Sequence, residues 1–442
     1  MKTFSKNKLT QIAGTFLIAL SLMSGVFVLS GCASPHRQDS EQASSSQPDT
    51  STSQSERELR EASASSTATD IPEGTAPETS ANLSEAEPSE VVPDAISQRI
   101  ANMSLDEKIC QLLIVTPEVL TGYDVITSTG PVTEEMLDTY PVGGLIYFGQ
   151  NLETMEQSQA MLSAVNAHQA QTGGIPLFLA VDEEGGDVAR CASRLGTTAF
   201  SPMFYYHDDG PEVARSNART IANDISSVGF NLNFAPVADT WSNPENVATS
   251  TRAYSDNYDQ GAELISAAVE GFHEGGVACT LKHFPGYGEA LNDPHYGSIY
   301  SARTLEEIRE GELKPFVAGI EAGADMIMIG HITMTSLDDG VPATLSRVVI
   351  TDVLRGELGY QGVVLSDAMN MGSIVNEFSG TEAAVMALEA GVDIVLMPDS
   401  VPDTIAAVRQ AIDDGRLSEE RLDESVRRVL QAKVNRGLLS LS

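Results

Sequence analysis

The side chains in this 442-residue chain that could do chemistry come in short polar bursts, each directly behind an apolar run. Asp182 and Glu183 follow Leu177–Val181, and Asp239 follows Leu232–Val237. Lys282 and His283 follow Ala278–Leu281, His331 follows Met326–Ile329, and Asp367 follows Val363–Leu365. Carboxylates, imidazoles and a cation gathered in one pocket suit two reactions. In one, the Lys282 amine forms a Schiff base with a carbonyl substrate. In the other, a carboxylate attacks an anomeric carbon while a second group protonates the departing oxygen. The sequence has no P-loop, no dinucleotide fingerprint and no His/Cys pair at metal-ligand spacing, so neither a metal nor a cofactor is expected. Gly143-Gly144 and Gly185-Gly186 read as tight-turn glycines.

Such bursts are useful only if the fold brings them together. From about Pro93 short apolar runs alternate with longer amphipathic segments. Eight runs read as strands: Gln111–Val115, Leu145–Phe148, Leu177–Val181, Leu232–Val237, Ala278–Leu281, Met326–Ile329, Val363–Leu365 and Asp393–Leu396. Nearly continuous apolar runs are what parallel strands buried on both faces require. Ser104-Leu105-Asp106-Glu107 and Thr304-Leu305-Glu306-Glu307 match the helix capping box. Gly362, Gly391 and Gly437 fall where helices should stop. Eight strand-then-helix units predict an α/β fold, a (β/α)8 TIM-type barrel with enlarged loops, as one catalytic domain over residues 93–442. A doubly wound sheet is the alternative on pattern alone. The barrel is the better fit because catalytic groups of barrel enzymes converge at the carboxyl ends of the strands, where these bursts sit.

The first 92 residues have another character. Lys2, Lys6 and Lys8 precede an apolar run from Ile12 to Leu29, which reads as a secretory signal over residues 1–31. Leu29-Ser30-Gly31-Cys32 resembles a bacterial lipobox, which implies lipidation of Cys32 and an extracytoplasmic protein anchored to the cell membrane. Residues 32–92 are rich in Ser, Thr, Glu and Pro and lack aromatics, the composition of a disordered tether. About 60 residues of coil would span roughly 40 Å. The remaining cysteines, Cys110, Cys191 and Cys279, are odd in number, which speaks for buried thiols with room for one bridge. The net charge of −36 repels nucleic-acid phosphates and anionic lipid heads, so nucleic acid is not an expected partner. A monomer is expected.

The long motif decides between the two reactions. Lys282-His283-Phe284-Pro285-Gly286-Tyr287-Gly288, followed by Asp293-Pro294-His295, resembles the K-H-F-P-G-H-G and D-S-H signature of the glycoside hydrolase family 3 β-N-acetylhexosaminidases. Asp182 to Arg190 resembles the family's D-Q-E-G-G-R-V-x-R, and Asn233 to Asp239 its N-F-A-P-V-x-D. Arg252 stands where the family has an arginine, and Ser366 to Met371 is similar to its S-D-x-x-x-M. The resemblance runs from residue 95 to 437 in the single-domain, bacterial lipoprotein form of the family.

What the resemblance implies is specific. Asp367 would be the nucleophile, with His295 and Asp293 as an acid/base dyad. Asp182, Arg190, Arg252, Lys282 and His283 would grip the sugar. Glu183 and Asp239 would support them from behind. The substrates would be β-N-acetylglucosaminide oligosaccharides or muropeptides, hydrolysed with retention. Three residues depart from the family pattern: Tyr287 for a histidine, Asp187 for a basic residue and Pro294 for a serine. Three rivals remain: a β-glucosidase, a sugar-binding lipoprotein on an inactive barrel, and transfer of the sugar to phosphate on the same fold.

Overall fold

The computed structural model describes residues 94–291 and 293–440. The expected signal segment, Cys32 and the tether lie outside the described residues.

Eight strands form one sheet: β1 Leu113–Val115, β2 Gly144–Ile146, β3 Phe178–Val181, β4 Leu232–Asn233, β5 Ala278–Phe284, β6 Met326–Ile329, β7 Val363–Ser366 and β8 Val395–Leu396. Their spatial order follows the chain, every neighbouring pair is parallel, and β8 returns to pair with β1. A bridge between Leu365 and Ile394 closes the remaining gap beside β7. The result is a (β/α)8 barrel. Every strand residue is buried, which explains why the strands read as unbroken apolar runs rather than as alternating ones.

Helices alternate with the strands, and the expected start signals are in place. The Ser104 and Thr304 hydroxyls accept from the backbone of Glu107 and Glu307, and those two carboxylates reach back to the cap amides. Of the three expected helix stops, Gly391 and Gly437 take positive φ directly after a helix end. Gly362 does not. The helix Val348–Glu357 ends earlier, with Gly359 at φ 68°. Gly362 instead lets β7 pass close to Tyr360, whose hydroxyl would lie 2.3 Å from a Cβ there. The two helices before β1, Ala95–Ala101 and Leu105–Gln111, lie beside the last helix, Glu419–Asn435. Arg427 pairs with Asp94 and Lys108 with Asp423.

Two strand ends differ from expectation, and both differences shape the rim. β4 stops at Asn233 rather than Val237: the Phe234 amide still donates to Val181 O, but Pro236 has no amide to give, and the pairing resumes only as a bridge between Val237 and Lys282. β5 runs on to Phe284, so Lys282 and His283 sit within a strand instead of behind one. Cys110, Cys191 and Cys279 are all buried and all free, so the bridge that the count allowed is absent.

Candidate active site

A cleft of about 350 Å³ opens at the carboxyl ends of the strands. That volume is at the small end of ligand sites, room for about one sugar ring. All eight residues named above for catalysis or sugar binding line it: Asp182, Arg190, Arg252, Lys282, His283, Asp293, His295 and Asp367. They come from the ends of β3, β5 and β7 and from three connecting loops.

The floor is a charge lattice built around a residue that the sequence reading passed over. Glu184 is buried and holds two cations at once. Arg252 grips it with two bonds, Nε to Oε2 at 2.8 Å and Nη2 to Oε1 at 2.7 Å. Lys282 Nζ lies 2.7 Å from Glu184 Oε1 and 2.9 Å from Asp182 Oδ1. Burial alone would favour the protonated acid, but Arg252 and Lys282 outweigh it and hold the Glu184 carboxyl well below the usual range. For Lys282 burial pulls the other way, and Asp182 and Glu184 overcome it, keeping the ammonium charged. The signal for Glu184 was present: it stands two residues after Asp182, the spacing that returns a side chain to the same face of an extended segment.

Asp367 follows β7 and is almost fully buried. Its amide donates to Ile329 O at 2.9 Å, and its Oδ1 accepts from the Ala368 amide at 2.8 Å. Burial opposes its ionisation. His283, His331, the Ala368 amide and Lys282 together prevail and keep its carboxyl below the ordinary Asp value. The site therefore holds an ionised, desolvated carboxylate with an oxygen facing the cleft.

His283 is fixed from behind. Its Nδ1 lies 2.7 Å from Asp239 Oδ2, and Asp239 Oδ1 accepts from the Tyr287 amide at 2.7 Å. Asp239 thus sets both the ring orientation and the turn that follows. Tyr287, the first departure from the family pattern, is fully buried with its ring 4.9 Å from that of His283, and its hydroxyl accepts from the His331 amide. His331 does not line the cleft. Its Nε2 donates to Ala368 O at 3.0 Å and its Nδ1 lies 2.8 Å from Thr344 Oγ1, so it braces the turn that carries Asp367. Burial pushes its pKa down, toward the neutral ring.

His295 is the opposite case. Its side chain is 64% exposed on the loop after β5. Asp293 Oδ1 accepts from its amide at 2.9 Å and meets Nδ1 at 2.6 Å. Nε2 has no partner among the described residues. The loop rests on the segment after Asp367: the Ser373 amide donates to Pro294 O at 3.1 Å, and a Cβ on Gly372 would meet His295 O at 2.7 Å. Pro294 thus serves through its carbonyl, which any residue could supply.

Arg190 makes no ion pair among the described residues. Its guanidinium stands 5.9 Å over the Phe148 ring and its Nε is buried without a partner. Glu183 has a local task instead, accepting from the Cys191 and Ala192 amides at 2.7 and 2.9 Å and so capping the helix Arg190–Leu195. Asp187 is exposed at the tip of the Glu183–Ala189 hairpin, away from the cleft lining.

Comparison with known proteins agrees with this architecture. Beta-hexosaminidase A of Pseudoalteromonas piscicida is 33% identical over 333 residues, covering 70% of this chain and 56% of that protein. The beta-hexosaminidase of Xanthomonas oryzae pv. oryzae is 35% identical over 289 residues, covering 64% of this chain and 83% of its own. Among solved structures, a glycoside hydrolase family 3 beta-N-acetylglucosaminidase from Paenibacillus sp. str. FPU-7 superposes with a TM-score of 0.71 at 33% identity, over 77% of this chain and 65% of that one. A beta-N-acetylhexosaminidase from Beutenbergia cavernae gives 0.67 at 28% identity, over 76% and 99%. The chain thus spans little more than half of the Pseudoalteromonas protein and under two thirds of the Paenibacillus one. Residues 104–432 match the glycosyl hydrolase family 3 N terminal domain, and on that match this chain belongs to glycosyl hydrolase family 3.

Proposed function

We propose that this chain is a β-N-acetylhexosaminidase that releases terminal β-linked N-acetylglucosamine from peptidoglycan-derived or chitin-like oligosaccharides, with retention. One observation carries the reading. A buried, ionised carboxylate, Asp367, and an exposed imidazole backed by its own carboxylate, His295 with Asp293, line the same one-sugar cleft.

In the first step an Asp367 oxygen attacks C1 of the sugar and the C1–O bond breaks. The leaving oxygen takes the proton from His295 Nε2. In the second step His295 takes a proton from water, whose oxygen attacks C1, and the bond to Asp367 breaks. An imidazole can both give and take a proton, which the two steps require of one residue. Asp293 orients the ring through Nδ1 and stabilises the imidazolium, as the acid of a catalytic triad does. Asp182, Arg190, Arg252, Lys282 and His283 hold the hydroxyls and the N-acetyl region.

The test is turnover of an aryl N-acetyl-β-glucosaminide against the aryl β-glucoside, with and without phosphate. The reading requires preference for the N-acetyl sugar and free N-acetylglucosamine as product in either buffer. Preference for the glucoside, sugar phosphate as product, or binding without turnover would each replace it with one of the rival readings. We also propose export and anchoring through a lipid on Cys32, supported by the lipobox. A Cys32→Ala chain that took up labelled fatty acid as well as the parent would refute it.

A further inference from the structure

At the opposite, amino-terminal end of the strands three ligand-type side chains from separate elements converge. His273 lies in the last turn of the helix Tyr258–Glu274, Cys279 is the second residue of β5, and Asp325 immediately precedes β6. Their ligating atoms all lie within 4.8 Å of one another. His273 Nε2 is 3.1 Å from Asp325 Oδ2 and 3.7 Å from Cys279 Sγ. We propose that His273, Cys279 and Asp325 form a site for a zinc-class divalent cation, with Arg436 as the resident cation that a metal displaces.

Three observations support this. The first is spacing. A tetrahedral zinc bound to nitrogen and oxygen at about 2.0–2.1 Å and to sulfur at about 2.3 Å sets those ligands roughly 3.3 Å (N to O) and 3.5 Å (N to S) apart. The observed separations are within a few tenths of an ångström of both.

The second is a conflict at His273. Its Nε2 faces an acceptor, Asp325 Oδ2 at 3.1 Å, and a donor, Arg436 Nη2 at 2.7 Å. With a proton on Nε2, the ring meets the arginine donor head-on. Without one, its lone pair meets the carboxylate oxygen. A bare Nε2 accepts from Arg436, and Asp325 Oδ2 takes the Cys279 amide at 3.0 Å, but the two lone pairs still face each other, whereas a metal ion accepts both together.

The third is that a cation is already held here. Arg436 Nε donates to Asp325 Oδ1 at 2.5 Å, and both His273 and Arg436 stand at helix C-termini, where positive charge is favoured. Arg436 also borders an open cleft of about 560 Å³, together with Asp325 and Gln361. That cleft gives the guanidinium somewhere to go and a metal a way in. A mixed N/S/O set selects zinc and its neighbours over calcium or magnesium. As the sulfur–metal bond forms the thiol proton leaves to solvent, and water completes the fourth position. Nothing is oxidised or reduced.

The test is titration of the reduced, metal-free full chain with Co²⁺. One equivalent should bind with a thiolate-to-cobalt charge-transfer band in the near ultraviolet, which Zn²⁺ then removes. Cys279→Ser should abolish the band and weaken binding by about 100-fold or more, beyond the 10–100-fold that losing an outer partner costs. His273→Gln, on a partly exposed side chain, should weaken binding comparably if Cys279→Ser folds poorly. Arg436→Gln should tighten it roughly 10-fold by removing the competitor. Thermal melts of each variant report folding independently of metal. A band that survives in Cys279→Ser would place the ion elsewhere, and the proposal would fall. So would the lack of any band in both the parent and Arg436→Gln, which would leave the cluster an ion-paired joint.

Discussion

Charged side chains are buried at both ends of this barrel, but they are completed differently. At the amino-terminal end Asp393 is closed off on every side. Its oxygens accept from Arg355, Arg428, Ser425 and the Val364 amide at 2.5 to 3.0 Å, and Arg421 stands 3.8 Å away. At the carboxyl end the lattice of Glu184, Arg252 and Lys282 is just as tight underneath, yet its upper members keep unused capacity. Arg190 has a bare Nε, His295 has a free Nε2, and Asp367 holds its charge with the Ala368 amide as its hydrogen-bonded partner. Burying a charge is costly unless partners satisfy it. A site must leave some of that cost unrelieved for a substrate to relieve, and a structural joint must not. The contrast separates function from scaffold more cleanly than burial does.

The contrast predicts opposite outcomes for equivalent mutations. Asp367→Asn should reduce turnover of every substrate by about 10⁴-fold or more while the melting temperature falls only slightly, because the surroundings that hold this carboxyl below the ordinary Asp value favour its charge. A slow fluorinated substrate should label a peptide containing Asp367 in the parent. Labelling elsewhere would overturn the assignment of the nucleophile.

His295→Ala should cost about 10²–10⁴-fold on a sugar leaving group, which needs the proton. A dinitrophenyl glycoside needs none, so its first step should be nearly unimpaired and a burst should appear as the second step slows. Equal losses on both substrates would make His295 a binding residue. His331 would not inherit the role, since both its ring nitrogens are engaged away from the cleft.

Asp393→Asn should do the reverse: about 3–5 kcal/mol of stability lost, from three guanidiniums left around a neutral amide, with turnover per folded molecule unchanged. The shift of the urea midpoint at constant slope measures it.

A further effect, read as a slope against pH, concerns Lys433, fully buried at the same end with Gln111 Oε1 at 3.0 Å and the Phe178 ring at 5.1 Å. Burial lowers its pKa from 10.5 to about 7. Between those values the unfolded chain binds the proton and the folded chain does not, so this group adds stability as pH rises from about 7 to 10.5 and penalises the fold fully below 7. The slope is at most about 1.4 kcal/mol per pH unit. Lys433→Met should flatten it and stabilise the protein at neutral pH. Parallel stability curves for the two proteins would show that Lys433 stays charged.

Most of the carboxyl end was legible in the sequence because its residues are locally patterned. Strand ends fall every few dozen residues, and the residues that follow them must meet at one rim. Capping boxes were legible for the same reason, since their partners are three residues apart. Glu184 went unread although its spacing from Asp182 puts both on one face of an extended segment, because what marks it as the centre of the floor is the pair of cations that only folding delivers. The His273, Cys279 and Asp325 cluster joins positions up to 52 residues apart through two strands and a helix, so no window of sequence contains it. Gly362 was misread because a glycine that yields space to Tyr360 looks the same in sequence as one that turns a helix end.

The packing of Tyr287 against Gly330 bears on how this rim can change over time. A Cβ at Gly330 would sit 2.6 Å from Tyr287 Cζ and 3.1 Å from His283 Cβ. Any side chain at position 330 therefore collides with the tyrosine first and only then presses on the histidine. Substitutions at the two positions are ordered: shortening Tyr287 opens the space in which Gly330→Ala becomes tolerable, whereas the reverse order passes through a chain with a displaced His283. A lineage, or a combinatorial library, can therefore reach Gly330→Ala through a shortened Tyr287 and not by the reverse order.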